Sequence, residues 1–279
     1  MGTFTSELIF GEYAYGTMTE TPNISYKTLL YNGFSPLSLF AASEPGFWFD
    51  PSDLSTLFQD TAGTTPVTVA GQSVARINDK SGRGNHATQS TSLSRPTYQV
   101  DSNGRGYLSF DGSDDFLVTP TITPGTDKAQ AFAGVRKLSD AATGAVIELS
   151  ASGSSGSISV FAPLSAAANY EWRSFGTGVA RATSGNTFAA PITNVLTGIG
   201  EISTDTAILR VNGAQAATSP SDQGTGNYNN YPLYIGRRGD TAYPFNGRIY
   251  SLICRFGSNL AADQITQTEA WVNSKTGAY

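Results

Sequence analysis

Side chains that could carry out catalysis are scarce in this sequence. It has one histidine, His86, in the turn Gly84-Asn85-His86, and one cysteine, Cys254, inside an apolar run. Zinc sites and Ser-His-Asp triads are built around histidine, whereas a lone histidine beside glycine is typical of a turn. We therefore predict that His86 is a turn residue, that Cys254 is a small core hydrophobe, and that the protein uses no metal and no cofactor.

Paired carboxylates would be needed for glycoside hydrolysis, the enzymatic alternative. The nearest pair is Glu201 and Asp205, and four residues of extended strand separate such side chains by about 13 Å. A retaining mechanism needs about 5 Å between its carboxyl groups, and an inverting one less than about 10 Å. Glu201 and Asp205 can therefore act together only if the chain turns between them. Glu148 and Glu171 could converge with Glu201 from other strands, so a glucanase stays the alternative to a non-enzymatic protein.

An acidic turn contains Asp111, Ser113, Asp114 and Asp115 within five positions. Carboxylate oxygens can bind calcium, but this spacing does not match the EF-hand loop. Asp side chains that accept hydrogen bonds from nearby backbone amides stabilise turns of this kind. We predict a hydrogen-bonded turn, with calcium binding as the open alternative.

Aromatic and amide side chains cluster in the segment TGNYNNYP. Tyr228, Asn229 and Tyr231 lie there, and Tyr243 follows a few residues later. Aromatic rings stack on sugars, and amides supply paired donors and acceptors. These four residues are therefore the predicted carbohydrate-binding site. The alternative is that the tyrosines cap the fold or pack against another subunit.

The elements that must position these residues are predicted to be strands. Charged residues make up only 14% of the chain, glycine occurs 30 times, and the apolar residues come in short runs. This profile predicts an all-β fold, an antiparallel β-sandwich or jelly roll, with one C-terminal helix from near Leu260 to Gly277. The stretch from Pro232 to Phe256 is predicted to form a central hairpin, with a bulge near Tyr250 and Ser251.

Charge and hydropathy exclude two classes of partner. The net charge of -5 and the pI near 4.9 disfavour a nucleic-acid partner, which requires a basic face. No apolar run approaches the roughly 18 residues of a membrane span, and the first residues lack the pattern of a signal peptide. We expect neither membrane insertion nor export by an ordinary signal.

The first 45 residues are predicted to be an N-terminal extended arm preceding a sandwich at 46–279. They are too apolar for a disordered tail and too few to close a core of their own. They must therefore pack on the sandwich or on a neighbouring subunit or particle. The predicted assembly interface comprises the apolar residues near the start of this arm, Phe4, Leu8, Ile9, Phe10, Tyr13 and Tyr15.

A series of motifs resembles a known family. It runs from PSDLSTLFQD and DKSGRGNHATQ through LSFDGSDDFL, ILRVNG, LYIGRR and FNGRIYSLICRF to the segment LAADQITQTEAWVNSKTG. This series is similar to the concanavalin A-like (laminin G-like) sandwich of tailed-bacteriophage and prophage structural proteins. The resemblance implies a non-enzymatic virion component, a tail fibre, tail-associated or head-decoration protein.

The resemblance also implies the location and partners of the chain. The location would be the virion, and the partners would be other virion proteins and copies of this chain, with a trimer as the expectation for the class. The exposed sandwich would contact a cell-surface glycan or another protein. The alternative is a glycan-binding module or glucanase of a bacterium or prophage.

Overall fold

The computed structural model of the protein describes residues 33–279, which fold into two antiparallel β-sheets. In chain order the strands are β1 (Gly46–Phe49), β2 (Leu57–Phe58), β3 (Arg76–Ile77), β4 (Ala87–Thr88), β5 (Thr97–Val100), β6 (Gly106–Asp111), β7 (Leu117–Ile122), β8 (Lys128–Lys137), β9 (Ala145–Leu149), β10 (Ser157–Phe161), β11 (Glu171–Phe175), β12 (Val179–Thr183), β13 (Ile192–Glu201), β14 (Thr206–Val211), β15 (Ala214–Ser219), β16 (Tyr231–Ile235) and β17 (Asn246–Phe256). Helix α1 (Ala262–Thr276) follows the last strand. The predicted all-β sandwich with a C-terminal helix is confirmed.

The strand order brings distant parts of the chain together. The eight-stranded sheet has the order β15-β14-β13-β8-β17-β6-β5, with β1 also paired to β17. The nine-stranded sheet has the order β12-β11-β10-β9-β16-β7-β4-β3-β2. Strands β8 and β17 are therefore neighbours although more than a hundred residues separate them. Side chains at paired positions of these two strands lie on the same face of the sheet.

The main core lies between the two sheets. It is formed by the alternate side chains of each strand that point inward. In β14, Ala207, Leu209 and Val211 are buried, while the residues between them are partly exposed. This is the period of two expected for a strand with one face in a core. Cys254 is fully buried in the same core, where burial raises the pKa of its thiol. The predicted core role of Cys254 is confirmed.

A smaller core lies on the outer face of the eight-stranded sheet, beneath helix α1. Ile253 of β17 meets Trp271 and Val272 of the helix there. The Trp48 ring packs edge-on against Trp271, with 5.5 Å between ring centroids. The helix ends at Gly277, whose φ of 61° is the left-handed conformation that favours glycine at this position. The predicted end of the helix is confirmed, and Trp271 and Val272 are buried.

The predicted hairpin between Pro232 and Phe256 is wrong. Strand β16 lies in the nine-stranded sheet between β7 and β9, whereas β17 lies in the eight-stranded sheet beside β8 and β6. The segment between them crosses from one sheet to the other. Strand β17 is apolar on both faces because the main core covers one face and the helical core covers part of the other.

The predicted bulge in β17 is confirmed, because the pairing of β17 with β8 shifts between Ile249 and Ser251. The shift changes which side chains face the core. Ile249 points into the main core together with Leu252. Tyr250 therefore lies on the outer face of the eight-stranded sheet, on the same side as Arg248.

Part of the predicted N-terminal arm belongs to the sandwich. The 3-10 turn Pro36–Phe40 buries Leu39 and Phe40 in the helical core. The Arg255 guanidinium donates to the Leu39 carbonyl at 2.8 Å and pairs with Glu44 at 2.9 Å. Among the described residues, the sandwich therefore includes the segment from Phe34 onward, which precedes the predicted boundary at 46. The predicted assembly residues, Phe4, Leu8, Ile9, Phe10, Tyr13 and Tyr15, lie outside the described residues.

Within residues 33–279, no helix has the length and apolar character to cross a bilayer.

Candidate functional site

The structure does not bring the four predicted carbohydrate-binding residues into one site. Tyr228 is buried, with 2% of its surface exposed, and its ring packs on Phe256. Its hydroxyl shares a hydrogen bond with Ser174 at 2.6 Å, and burial raises the pKa of the phenol. The prediction that Tyr228 stacks on a sugar is wrong, because the ring already lies in the main core.

The other three predicted residues lie at opposite ends of β10. The Asn229 amide and the Tyr231 hydroxyl both donate to the Ser155 carbonyl, at 3.1 and 3.3 Å. Tyr243 instead packs edge-on against Phe161, beneath the Arg238 guanidinium. Ser155 lies just before β10 and Phe161 ends it, so the length of the strand, about 13 Å at strand rise, lies between the two groups. A ligand of monosaccharide size cannot contact both groups.

Three of the carboxylates considered for hydrolysis, Glu148, Glu171 and Glu201, are held by cations, whereas Asp205 accepts from the Gln223 backbone amide. The chain does turn between Glu201 and Asp205, since Asp205 is left-handed with a φ of 53°. Glu201 nevertheless pairs with Lys128 at 2.8 Å and accepts from the Asn259 amide at 2.6 Å. The Lys128 hydrogen bond lowers the pKa of Glu201, so this residue is poorly suited to act as a general acid.

Glu148 and Glu171 have arginine partners on the nine-stranded sheet. Glu148 accepts from the Arg238 guanidinium at 3.0 Å, and Glu171 pairs with Arg173 at 2.7 Å. Burial raises the pKa of Glu148, and the two guanidiniums act against that rise. Arg238 is followed by Gly239 and Asp240, which makes an Arg-Gly-Asp tripeptide. The Arg238 side chain is engaged in the buried ion pair with Glu148.

The acidic turn is held by its own backbone. Ligand oxygens of Asp111, Asp114 and Asp115 lie within 4.8 Å of one another. The Asp111 carboxylate accepts from the Ser113 and Asp114 amides, and Asp115 accepts from the Asp111 amide. Burial raises the pKa of Asp115 to about 6, and the negative charges of Asp111 and Asp114 add to the rise. These contacts are those of the predicted hydrogen-bonded turn.

His86 takes a structural role in its turn. Its Nδ1 accepts from the Asp79 backbone amide at 3.0 Å, which requires the neutral imidazole. Burial and the nearby Arg76 lower the pKa of His86.

A polar groove of about 570 Å³ opens on the outer face of the eight-stranded sheet, beside the C-terminal end of α1. We call it the arginine groove. Strands β6, β8, β13 and β17 form its floor, and the turn after β5 forms one wall. Its lining residues are Val100, Asp101, Ser102, Asn103, Arg105, Tyr107, Arg136, Thr193, Arg248, Tyr250, Thr276 and Gly277.

Strand pairing places the charged residues on the groove floor. Arg136 of β8 lies directly opposite Arg248 of β17, and on its other side it lies opposite Thr193 of β13. The Arg136 guanidinium donates to the Thr193 hydroxyl at 3.0 Å. The Arg248 guanidinium lies 4.7 Å above the centre of the Tyr107 ring. The Arg136 and Arg248 side chains are therefore held in place by neighbours on β13 and β6.

Two tyrosines support the arginines from below. The rings of Tyr107 and Tyr250 lie 5.2 Å apart and are almost fully buried. Burial raises the pKa of Tyr250, the nearby Arg248 opposes the rise, and Asp101 adds to it. Because their faces are covered, these rings are packing supports for guanidiniums rather than platforms for a stacked sugar.

The chain matches no family model and no curated protein. Its structure is similar to the receptor-binding domain of botulinum neurotoxin C/D mosaic serotype, with a TM-score of 0.55 and 10% identity, covering 81% of this chain and 51% of that chain. An arabinofuranosidase complexed with arabinofuranosyl-alpha-1,2-xylobiose has a TM-score of 0.54 and 14% identity, covering 87% of this chain and 65% of that chain. At these identities the shared feature is the fold, a β-sandwich of two antiparallel sheets.

A third similar structure is that of botulinum neurotoxin type C, which depends on interaction with two ganglioside molecules to enter cells. Its TM-score is 0.53 and its identity 12%, covering 83% of this chain and 51% of that chain. The chain spans about half the length of the neurotoxin domains that it matches. The likeness shows the β-sandwich fold and nothing finer.

The residues of the arginine groove were missed from the sequence, although a signal was present. Arg136 and Arg248 each interrupt an apolar strand, in AFAGVRK and NGRIYSL. A charged side chain in such a strand must face water, a partner or a ligand. Sequence alone does not show that the two strands are neighbours in the sandwich, so the convergence of the two arginines emerges only from the topology.

Proposed function

We propose that the chain is a carbohydrate-binding β-sandwich that binds a surface glycan in the arginine groove. The observation that carries this proposal is the groove itself, an open polar cleft of about 570 Å³ lined by guanidiniums, hydroxyls and the Asn103 side chain. Such groups form the directional hydrogen bonds by which polar ligands are fixed. The similarity of the fold to a ganglioside-dependent neurotoxin and to an arabinofuranosidase supports this class of ligand.

We further propose that the protein binds glycans without hydrolysing them. Among the described residues that line the groove, Asp101 is the one carboxylate. Glycoside hydrolysis ordinarily needs two carboxyl groups flanking the scissile bond. The buried or ion-paired Glu148, Glu171 and Glu201 lie outside the groove lining and are held by cations.

A glycan array, followed by calorimetric titration of the best ligand, tests the proposed function. Binding is expected for the full chain and is expected to weaken in Arg248→Gln. Arg181→Gln is the matched control, because Arg181 is exposed on β12, outside the groove. A reducing-sugar assay on the bound glycan should show no turnover. Absence of binding to every glycan, or binding that Arg248→Gln leaves unchanged, contradicts the proposal.

The location on a bacteriophage particle is a separate proposal that rests on the motif series of the sequence. Under this proposal the sandwich is displayed on the virion. The residues that precede the 3-10 turn Pro36–Phe40 would attach the sandwich to other virion proteins or to copies of this chain. Mass spectrometry of purified particles from a producing host, with light scattering of the isolated chain, provides the test. Absence from the particles contradicts the virion location, and a monomer contradicts self-assembly into trimers.

A further inference from the structure

The two arginines on the groove floor form a like-charged pair. Arg136 and Arg248 lie directly opposite each other on neighbouring strands and share the outer face. Backbones of paired strands lie about 5 Å apart, and like charges in this position repel each other. In the described part of the chain, no carboxylate lies within 4.0 Å of either guanidinium. The repulsion is therefore not offset by an ion pair of the fold.

The surroundings hold both guanidiniums in the groove instead of letting them separate. The Thr193 hydroxyl accepts a hydrogen bond from Arg136, and the Tyr107 ring lies under Arg248. A guanidinium presents its donors in one plane, and two such groups can each bind a different oxygen of one carboxylate or sulfate. Fixing the side chains beforehand reduces the entropy lost on binding.

The other end of the groove is closer to electrical neutrality. The Arg105 guanidinium lies 3.8 Å from the Asp101 carboxylate. The same carboxylate also accepts hydrogen bonds from the backbone amides of Asn103 and Arg105. The Arg105 guanidinium also lies against Gly277, at the C-terminal end of α1. The partial negative charge at the end of a helix offsets a nearby cation. The uncompensated positive charge is thus concentrated at Arg136 and Arg248, in a chain whose net charge is -5.

We propose that the groove recognises an acidic sugar and that Arg136 and Arg248 bind its oxyanion, a carboxylate or a sulfate ester. This inference rests on the proposed glycan-binding function and specifies the ligand class. The anion replaces the missing counterion of the arginine pair, while Ser102 and Asn103 on the wall of the groove face the neutral hydroxyls of the same sugar ring.

Matched pairs of sugars test the inference by calorimetry on the full chain. Sialyllactose is compared with lactose for the carboxylate, and sulfated lactose with lactose for the sulfate ester. We expect at least one acidic member to bind about tenfold or more tightly than lactose, since charge-assisted bonds are roughly twice as strong as neutral ones. The advantage should shrink as salt is raised from low to about 0.5 M.

Variants assign the effect to the two arginines. Arg136→Gln and Arg248→Gln should each remove most of the preference for the acidic sugar, while Arg248→Lys should retain part of it because a point charge remains. Arg181→Gln should change nothing. Thermal unfolding of each variant checks that the fold is intact, and Thr193→Val, which frees Arg136 without removing its charge, should weaken acidic binding less than Arg136→Gln.

The outcomes separate this inference from the proposed function. Equal affinity for acidic and neutral sugars, lost in Arg248→Gln, overturns the acidic specificity and leaves glycan binding in the groove standing. Preference for acidic sugars that survives both glutamine variants places the anion elsewhere and overturns the assignment. No binding to any sugar overturns both proposals. Tighter binding of an acidic peptide or an oligonucleotide of matched charge also overturns the acidic-sugar assignment.

Discussion

Arg136 on β8 and Arg248 on β17 lie directly opposite each other on one face of the eight-stranded sheet. Like charges in this cross-strand position are destabilising, typically by up to about 1 kcal/mol. Under the proposed function, such a pair on the floor of an open groove serves binding rather than stability. Its energetic cost is measurable in the free protein.

A double-mutant cycle between Arg136→Gln and Arg248→Gln should give a repulsive coupling of about 0.5 kcal/mol at low salt. Arg136→Gln removes the hydrogen bond to Thr193, and Arg248→Gln removes the cation-π contact with Tyr107. The cycle cancels both of these separate losses. Urea unfolding supplies the free energies. The coupling should fall towards zero at about 0.5 M salt because the groove is open to solvent. An attractive coupling would mean that an unrecognised anion bridges the pair in the free protein.

A close approach in the main core provides a second prediction. Gly198 of β13 lies under the Trp172 indole, so a methyl group at this position would overlap with the ring. Gly198→Ala should destabilise the protein by about 2–3 kcal/mol, because overpacking a rigid core displaces side chains and backbone. Gly185→Ala is the matched control, since nothing lies near its added methyl group. Equal unfolding midpoints for the two variants would contradict the described packing of Trp172.

The fold was largely readable from the sequence because strands and helix carry local signals. Short apolar runs indicated strands, and the glycine after α1 indicated its end. The edge strands β5, β12 and β15 are short and partly polar, so their local signals are weak. Which strands pair depends on contacts between distant residues, which no local pattern encodes.

The candidate site was not readable for the same reason. Tyrosines near a turn suggested stacking surfaces, but Tyr228 proved to be core, because an aromatic ring contributes more by burial than by exposure. Arg136 and Arg248 meet only because β8 pairs with β17. The bulge at Ile249 and Ser251 then places Tyr250 beneath the groove rather than in the core.

The buried ion pair on the nine-stranded sheet provides a third prediction. Glu148 is fully buried and depends on Arg238 as its partner. Arg238→Gln should cost about 3 kcal/mol near pH 8, since the buried Glu148 charge loses its ion-paired partner and keeps only the longer-range charge of Arg173. Without Arg238, the pKa of Glu148 rises further above its unfolded value. The variant should therefore regain stability as the pH falls and Glu148 becomes neutral.

Asp240→Asn is the control for this substitution. Asp240 is exposed and lies 3.9 Å from Arg238, so its loss should change stability by less than about 0.5 kcal/mol. Equal costs for the two variants, measured by urea unfolding at pH 5 and pH 8, would show that the Glu148 pair does not carry the effect.

The N-terminal boundary provides a fourth prediction. A chain that begins at Gly46 lacks Leu39 and Phe40 and leaves Arg255 without Glu44. Losing two buried apolar side chains alone should cost about 3–6 kcal/mol, and the uncovered core should bind a hydrophobic dye. A chain that begins at Gly33 keeps every one of these contacts and is the matched control. If the shorter chain unfolds at the same urea concentration, the segment is an appendage rather than part of the sandwich.

The acidic turn gives a prediction about pH. Burial and the neighbouring carboxylates raise the pKa of Asp115 to about 6, above its unfolded value near 3.8. The folded protein therefore binds more protons than the unfolded chain between these values, and this group makes stability fall as the pH rises from about 4 to about 6.

Asp115→Asn keeps an oxygen for the Asp111 amide and removes the charge. It should be more stable than the natural sequence by about 1–2 kcal/mol at pH 7.5 and equal to it near pH 3.5. Urea midpoints across this range provide the measurement, and Asp222→Asn, at an exposed carboxylate outside the acidic turn, is the control. A constant difference at all pH values would assign the effect to packing. A difference at pH 7.5 that disappears when millimolar calcium is added would identify the turn as a cation site, because the ion would stabilise the charged form of Asp115.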